Sequence, residues 1–208
     1  MHPDSIAILK QGVHRILQMS NVLGTIPGER PDEYVIVGAH FDHLGVDETL
    51  ANDRIYNGAD DNASGVSAVL QIARAFLATG QKPLRTVIFA FWDGEEKGLL
   101  GSKYFVQSCP FISQVKGYLN FDMIGRNNKP EQPQHVVYFY TAAHPVFGDW
   151  LKQDIARYML RCNRTTAPGT APREEVTMLL LPCATSPSSG TTQTDIPIIT
   201  SLRTTPIG

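Results

Sequence analysis

The chain has 208 residues, 42% of them hydrophobic and 18% charged, with a formal net charge of -2. That is one domain by size, with enough apolar residues to build a core and too many for a disordered chain. The near-neutral charge gives no electrostatic case for a nucleic-acid or anionic-membrane partner. No apolar run approaches the ~20 residues of a membrane span, and the first apolar stretch, residues 6–9, is too short for the core of a secretion leader.

Residues 1–20 carry a weak helical spacing through Ile6, Leu9, Val13, Ile16 and Leu17. Residues 21–27 and 34–40 read as strands joined by a turn-rich linker at 28–32. From 62 to 79 apolar residues recur at 66, 69, 70, 73, 76 and 77, a helical period, and Gly80 supplies the stop. Residues 86–92, TVIFAFW, form the continuous apolar run of a strand buried on both faces. A short helix is expected over 99–106, strands over 115–121 and 136–141, and a helix over 146–160. Strands alternating with helices predict an α/β fold whose sheet is covered on both faces.

The composition changes near residue 160. Residues 161–208 hold 11 Thr, 4 Ser and 6 Pro, with no sustained period. The chain therefore divides into a patterned domain, 1–160, and an aberrant tail, 161–208, expected to pack poorly because few apolar residues offset its ordering entropy. Cys109, Cys162 and Cys183 share no metal-type spacing, and their odd number is not a disulfide framework. They are expected to be small buried or incidental thiols.

Three apolar strands end in metal-type side chains. YVIVGA runs into His40-Phe41-Asp42, TVIFAFW into Asp93-Gly94-Glu95-Glu96, and VKGYLNF into Asp122. Ligands of open α/β sheets gather at the carboxyl ends of strands. A carboxylate two residues from His40 can hold its imidazole tautomer, although a surface His beside a surface Asp would look the same. Between the first two strands lies Asn57-Gly58-Ala59-Asp60-Asp61-Asn62-Ala63-Ser64-Gly65. A helix N-cap explains one acidic residue there. It does not explain Asp60, Asp61 and Asn62 in a row, whereas a carboxylate bridging two cations does. Adjacent Glu95 and Glu96 should repel unless a cation or shared proton compensates. Such a pair can divide its work, one binding metal and the other taking a proton from water.

HFDHLG, NGADDNASGV, FWDGEEKGLLGS and NFDMIGR, in this order and spacing over about 21–160, resemble the motifs of metallopeptidase family 28, the di-zinc aminopeptidases of the bacterial leucyl aminopeptidase type. The resemblance implies a mixed, mostly parallel central sheet between helices. It also implies zinc-dependent hydrolysis of N-terminal peptide bonds. By motif, His40 and Asp122 resemble ligands of a first zinc, Asp42 the carboxylate orienting His40, Asp61 the bridging aspartate, Glu96 a ligand of a second zinc, and Glu95 the general base. His43, His135 and His144 match no ligand position and are expected on the surface or in loops. The implied partner is a peptide or small aminoacyl substrate, with no nucleic acid and no membrane. Members of the family are often secreted or periplasmic, but this chain shows no leader pattern.

One departure is plain. The family's last ligand is a His in a D-Y-H segment, after an S-D-H-x-P-F segment, and residues 161–208 contain neither. Without that imidazole the second zinc keeps Asp61 and Glu96 only. The expectation is therefore one zinc better held than two, and weakened or absent activity. Codons for residues 176–200 read one base earlier can spell SDHAPFAMRDIPVIWYHTDGHPDYH with permitted synonymous choices. That string restores both segments in order, so a frameshifted tail is expected. Two other functions fit the same motifs less well: glutaminyl cyclase-like acyl transfer, and a non-catalytic binding domain that has lost its metal.

Overall fold

The computed structural model describes residues 5–10, 13–126, 131, 135–141, 144–159, 163–169, 177–178 and 198–199, with side chains described for 18–126, 131, 137–140 and 144–159. The strands are β1 Ser5–Lys10, β2 Val13–Gln18, β3 Val22–Ile26, β4 Arg30–His40, β5 Gly45–Val46, β6 Ile55–Tyr56, β7 Arg85–Trp92, β8 Val115–Asn120, β9 His135–Thr141, β10 Asn163–Gly169, β11 Thr177–Met178 and β12 Ile198–Ile199. The α-helices are α1 Gly65–Thr79, α2 Leu100–Ser108 and α3 Val146–Arg157.

Eight strands form the main sheet in the order β10-β9-β11-β8-β4-β7-β3-β12. Its centre is parallel: β4 pairs with β7 on one side and β8 on the other. Towards one edge β3 runs antiparallel to β7. The sheet is thus mixed with a parallel middle, and α/β as the pattern predicts. Among the described residues no helix is long and apolar enough to cross a membrane.

Strand alternation builds two apolar layers. Val37, Ala39, Val87 and Phe89 point to one face and pack with Val69 and Ala73 of α1 and with Phe121. Ile36, Ile88, Ala90 and Trp92 point to the other and pack with Phe105 of α2. Phe121 is 1% exposed. Burying a side chain of that size stabilises by about 2–3 kcal/mol, and here it also anchors the backbone next to Asp122. Helix α1 stops at Gly80, whose φ of 61° is left-handed and suits a residue without Cβ.

The first segment differs from its sequence pattern. The helix read over residues 1–20 is a hairpin of β1 and β2, registered Ile6↔Leu17 through Lys10↔Val13. The β-branched residues at 6, 8, 13 and 16 favour extended chain. The expected linker also shortens, because Arg30, Pro31 and Asp32 already belong to β4. Beyond residue 160, β10 pairs in parallel with β9, β11 with β8, and β12 with β3 in antiparallel. Thr-rich sequence is compatible with such extended pieces. Everything else expected of residues 161–208, with Cys162 and Cys183, lies outside the described residues.

Candidate metal centre

The three central strands β8, β4 and β7 end side by side, and each delivers a ligand-type side chain from its carboxyl end. His40 is the last residue of β4, opposite Trp92 at the end of β7. The Asp122 loop follows β8, and Glu95 and Glu96 follow β7 after one turn. Asp61 arrives from the segment before α1, on the chain between β4 and β7.

His40 is 2% exposed. Its Nδ1 lies 3.1 Å from the Asp42 carbonyl oxygen. A carbonyl only accepts, so Nδ1 carries a proton, and Nε2 is the nitrogen left to bind a metal in place of its own proton. That Nε2 sits 3.0 Å from Asp61 Oδ1 and 3.6 Å from Asp122 Oδ1, yet it is buried with no hydrogen-bond partner. Unaligned contacts of this length are what donors around one small cation show. With Zn–N and Zn–O bonds of ~2.0–2.2 Å, tetrahedral neighbours stand about 3.3 Å apart. Among the described residues, His40 with Asp61 and Asp122, His40 with Glu95 and Glu96, and His43 with Asp61 and Glu96 each bring ligand atoms within 4.8 Å of one another.

The electrostatics favour a cation in the same place. Burial works against a charge on His40, but the Asp122 carboxylate, supported by Glu95 and the Asp42 carbonyl, overrides it and raises the imidazole to about 9. Asp61 is raised by burial and then by Glu96, with His40 pulling the other way. Glu95 is raised by burial, with His40 opposing and Asp122, Glu96 and Asp42 adding to the rise. Positive charge is wanted here, by several carboxylates together.

The structure gives Asp42 a further task beside its place next to His40. Its carboxylate Oδ1 is 3.6 Å from His40 Nδ1, and the main-chain carbonyl makes the closer contact. The chain leaves β4 at His40, so residues 40 and 42 no longer share a strand face. The Asp42 carboxylate instead accepts the backbone N–H of Glu95 at 2.9 Å and of Glu96 at 3.2 Å. It fixes the turn that carries both glutamates. Asp93 is a structural residue as well, its carboxylate accepting the Ser20 N–H at 2.8 Å.

His43 is in the loop after β4, as expected, but the fold gives it a place that the motifs did not. It lies beside the centre, with Nδ1 2.8 Å from Glu96 Oε1 and 4.0 Å from Asp61 Oδ2. The available signal was its position, three residues after a candidate ligand in His40-Phe41-Asp42-His43. His144 is exposed ahead of α3, as expected, and the His135 side chain lies outside the described residues.

The Asp60-Asp61-Asn62 run resolves into three different tasks. Asp60 Oδ1 accepts the Gly125 N–H at 2.7 Å, tying the loop to the segment after Asp122. Asn62, 2% exposed, donates to the Phe121 carbonyl at 2.9 Å and accepts from the N–H groups of Gly65 and Met123 at 3.1 and 3.2 Å. One amide thereby locks the Asp61 and Asp122 backbones together. Gly65 allows the close approach, since a Cβ there would lie 2.3 Å from the Phe121 oxygen. Asn62→Ala strands a buried carbonyl and two N–H groups. At about 1–3 kcal/mol per stranded group, the variant is expected to lose roughly 3 kcal/mol in denaturant unfolding of the metal-free chain. Unchanged stability would contradict the clamp.

The same fold recurs in known proteins. The chain is 38% identical over 120 residues to leupeptin-inactivating enzyme 1 of Streptomyces exfoliatus, covering 57% of this chain and 24% of that one. The solved structure of LapB from Legionella pneumophila is similar with a TM-score of 0.59 and 26% identity, covering 80% of this chain and 43% of that one. BSAP, a zinc aminopeptidase from Bacillus subtilis, shares the fold with a TM-score of 0.53 at 23% identity, over 72% of this chain and 34% of that one. This chain thus spans less than half the length of each of these relatives. The model of peptidase family M28 matches residues 21–177, which take in all the strand ends and the Asp-rich loop that build the centre. The chain belongs to peptidase family M28.

Proposed function

We propose that this chain carries the zinc-binding catalytic centre of an aminopeptidase that hydrolyses N-terminal peptide bonds. The observation that carries the reading is His40 Nε2: buried, without an aligned hydrogen bond, and facing the carboxylates of Asp61 and Asp122 at 3.0 and 3.6 Å. An imidazole with two carboxylates and an open position is a catalytic-type zinc set. Asp61 turns its other oxygen towards Glu96 and His43, which supports a second, more weakly held ion next to the first. Bound zinc supplies Lewis acidity towards the scissile carbonyl and lowers the pKa of attacking water.

The side chains do the rest. Asp42 holds the backbone of Glu95 so that its carboxylate faces the centre. Burial raises the Glu95 carboxyl, and Asp122, Glu96 and Asp42 add to the rise against the pull of His40, which is the direction a general base needs. Glu95 takes the proton of the attacking water and returns it to the leaving amine.

The test is release of p-nitroaniline from free and N-acetylated aminoacyl-nitroanilides by the zinc-loaded 208-residue chain. Zinc-dependent cleavage of the free form alone is expected. Cleavage that survives complete chelation would contradict the reading. A chain given the D-Y-H segment that cleaves no faster than this one would contradict it too.

A further inference from the structure

The centre has two imidazoles, and the sequence motifs account for one. We infer that His43 is the imidazole ligand of the second zinc in this chain, bound through Nδ1 and forming a three-donor set with Asp61 and Glu96. The inference rests on the proposed zinc centre and adds a ligand to it.

Asp61 stands between the two rings. Its Oδ1 is 3.0 Å from His40 Nε2, and its Oδ2 is 4.0 Å from His43 Nδ1. Glu96 Oε1 closes the second set at 2.8 Å from the same Nδ1. These separations straddle the ~3.3 Å edge of a tetrahedral zinc site, so changes well under ~1 Å bring the donors to bonding positions. Side-chain exposures of 20% for His43, 33% for Asp61 and 16% for Glu96 leave room for an open position. The His43 ring is held in place. It meets Tyr56 edge-on at 6.2 Å, and a Cβ at Gly58 would lie 3.2 Å from it. The independent pointer to a cation is across Asp61, where the buried His40 Nε2 faces two carboxylates with no aligned hydrogen bond.

A competing role is simpler: His43 donates a hydrogen bond to Glu96 and only positions it. His43→Asn separates the two, because the Asn side-chain N–H stands where Nδ1–H stood but offers no imidazole. The whole chain and its His43→Asn and His43→Ala variants would be dialysed against zinc and assayed for metal content. They would then be cobalt-substituted for proton NMR. The expected result is two zincs in the parent chain. The cobalt form should show two strongly shifted exchangeable imidazole N–H signals, from His40 Nδ1–H and His43 Nε2–H. Each variant should keep one zinc, bind the second at least ~100-fold more weakly, and show one signal.

Loss of a mere positioning partner costs ~10–100-fold in metal affinity. A His43→Asn protein that keeps its second zinc within about tenfold would therefore overturn the inference. So would a single shifted signal, or a single zinc, in the parent chain, and neither of these depends on a variant folding. A parent chain that takes up no zinc would sink the reading of the whole centre. One zinc with unchanged His43 variants would sink the His43 assignment alone.

Discussion

Glu95→Gln is expected to retain full zinc content and to lose turnover by ~10²–10⁴-fold, the usual worth of a general base. The amide keeps the shape of the side chain and leaves the backbone N–H on Asp42 untouched. What it loses is the ability to take a proton. The loss should appear in kcat rather than KM, since binding of the substrate amine does not need that proton transfer. Near-normal kcat would move the base elsewhere. Glu96→Gln gives the contrast. Its carboxylate faces His43 and Asp61, so the second zinc should weaken while the first stays. Equal metal content in the two variants would contradict the division of labour.

Asp61→Asn is expected to have the largest effect on metal. Among the described residues, Asp61 is the carboxylate within 4.0 Å of both imidazoles, so both ions should weaken together. Zinc at about 1,000 times its Kd should stabilise the parent chain by ~4 kcal/mol. For the variant at the same zinc concentration the gain should nearly vanish. Without metal the sign reverses. Burial and Glu96 both oppose ionisation of Asp61, so removing its charge should leave the metal-free variant at least as stable as the parent. Thermal unfolding with and without zinc checks both halves. A variant that keeps the parent's zinc-induced shift would contradict the bridging role.

Much of this centre was legible because strand ends are rigid. TVIFAFW could only be a strand buried on two faces, and β7 is buried at six of its eight positions. Residues just past the end of such a strand have little freedom of position, so His40, Glu95, Glu96 and Asp122 could be brought together from sequence. The parts that were not legible depend on where the chain leaves regular structure. The period-two argument for Asp42 stopped applying once β4 ended at His40. Asn62 looked like one more polar residue in an acidic loop, and its three hydrogen bonds reach residues up to 61 positions away. His43 matched no family position, so the motifs gave it no role. Only the fold shows that Glu96 comes within 2.8 Å of it. At the N-terminus Ile, Leu and Val satisfied a loose helical spacing and a hairpin equally well, and strand pairing decided between them.

The most direct measurement is zinc K-edge anomalous diffraction from the zinc-loaded chain. A peak ~2.0–2.2 Å from His40 Nε2, Asp61 and Asp122, with a second beside Asp61, Glu96 and His43, is the predicted result. Zinc found only at surface histidines, with His40 Nε2 still bare, would contradict it.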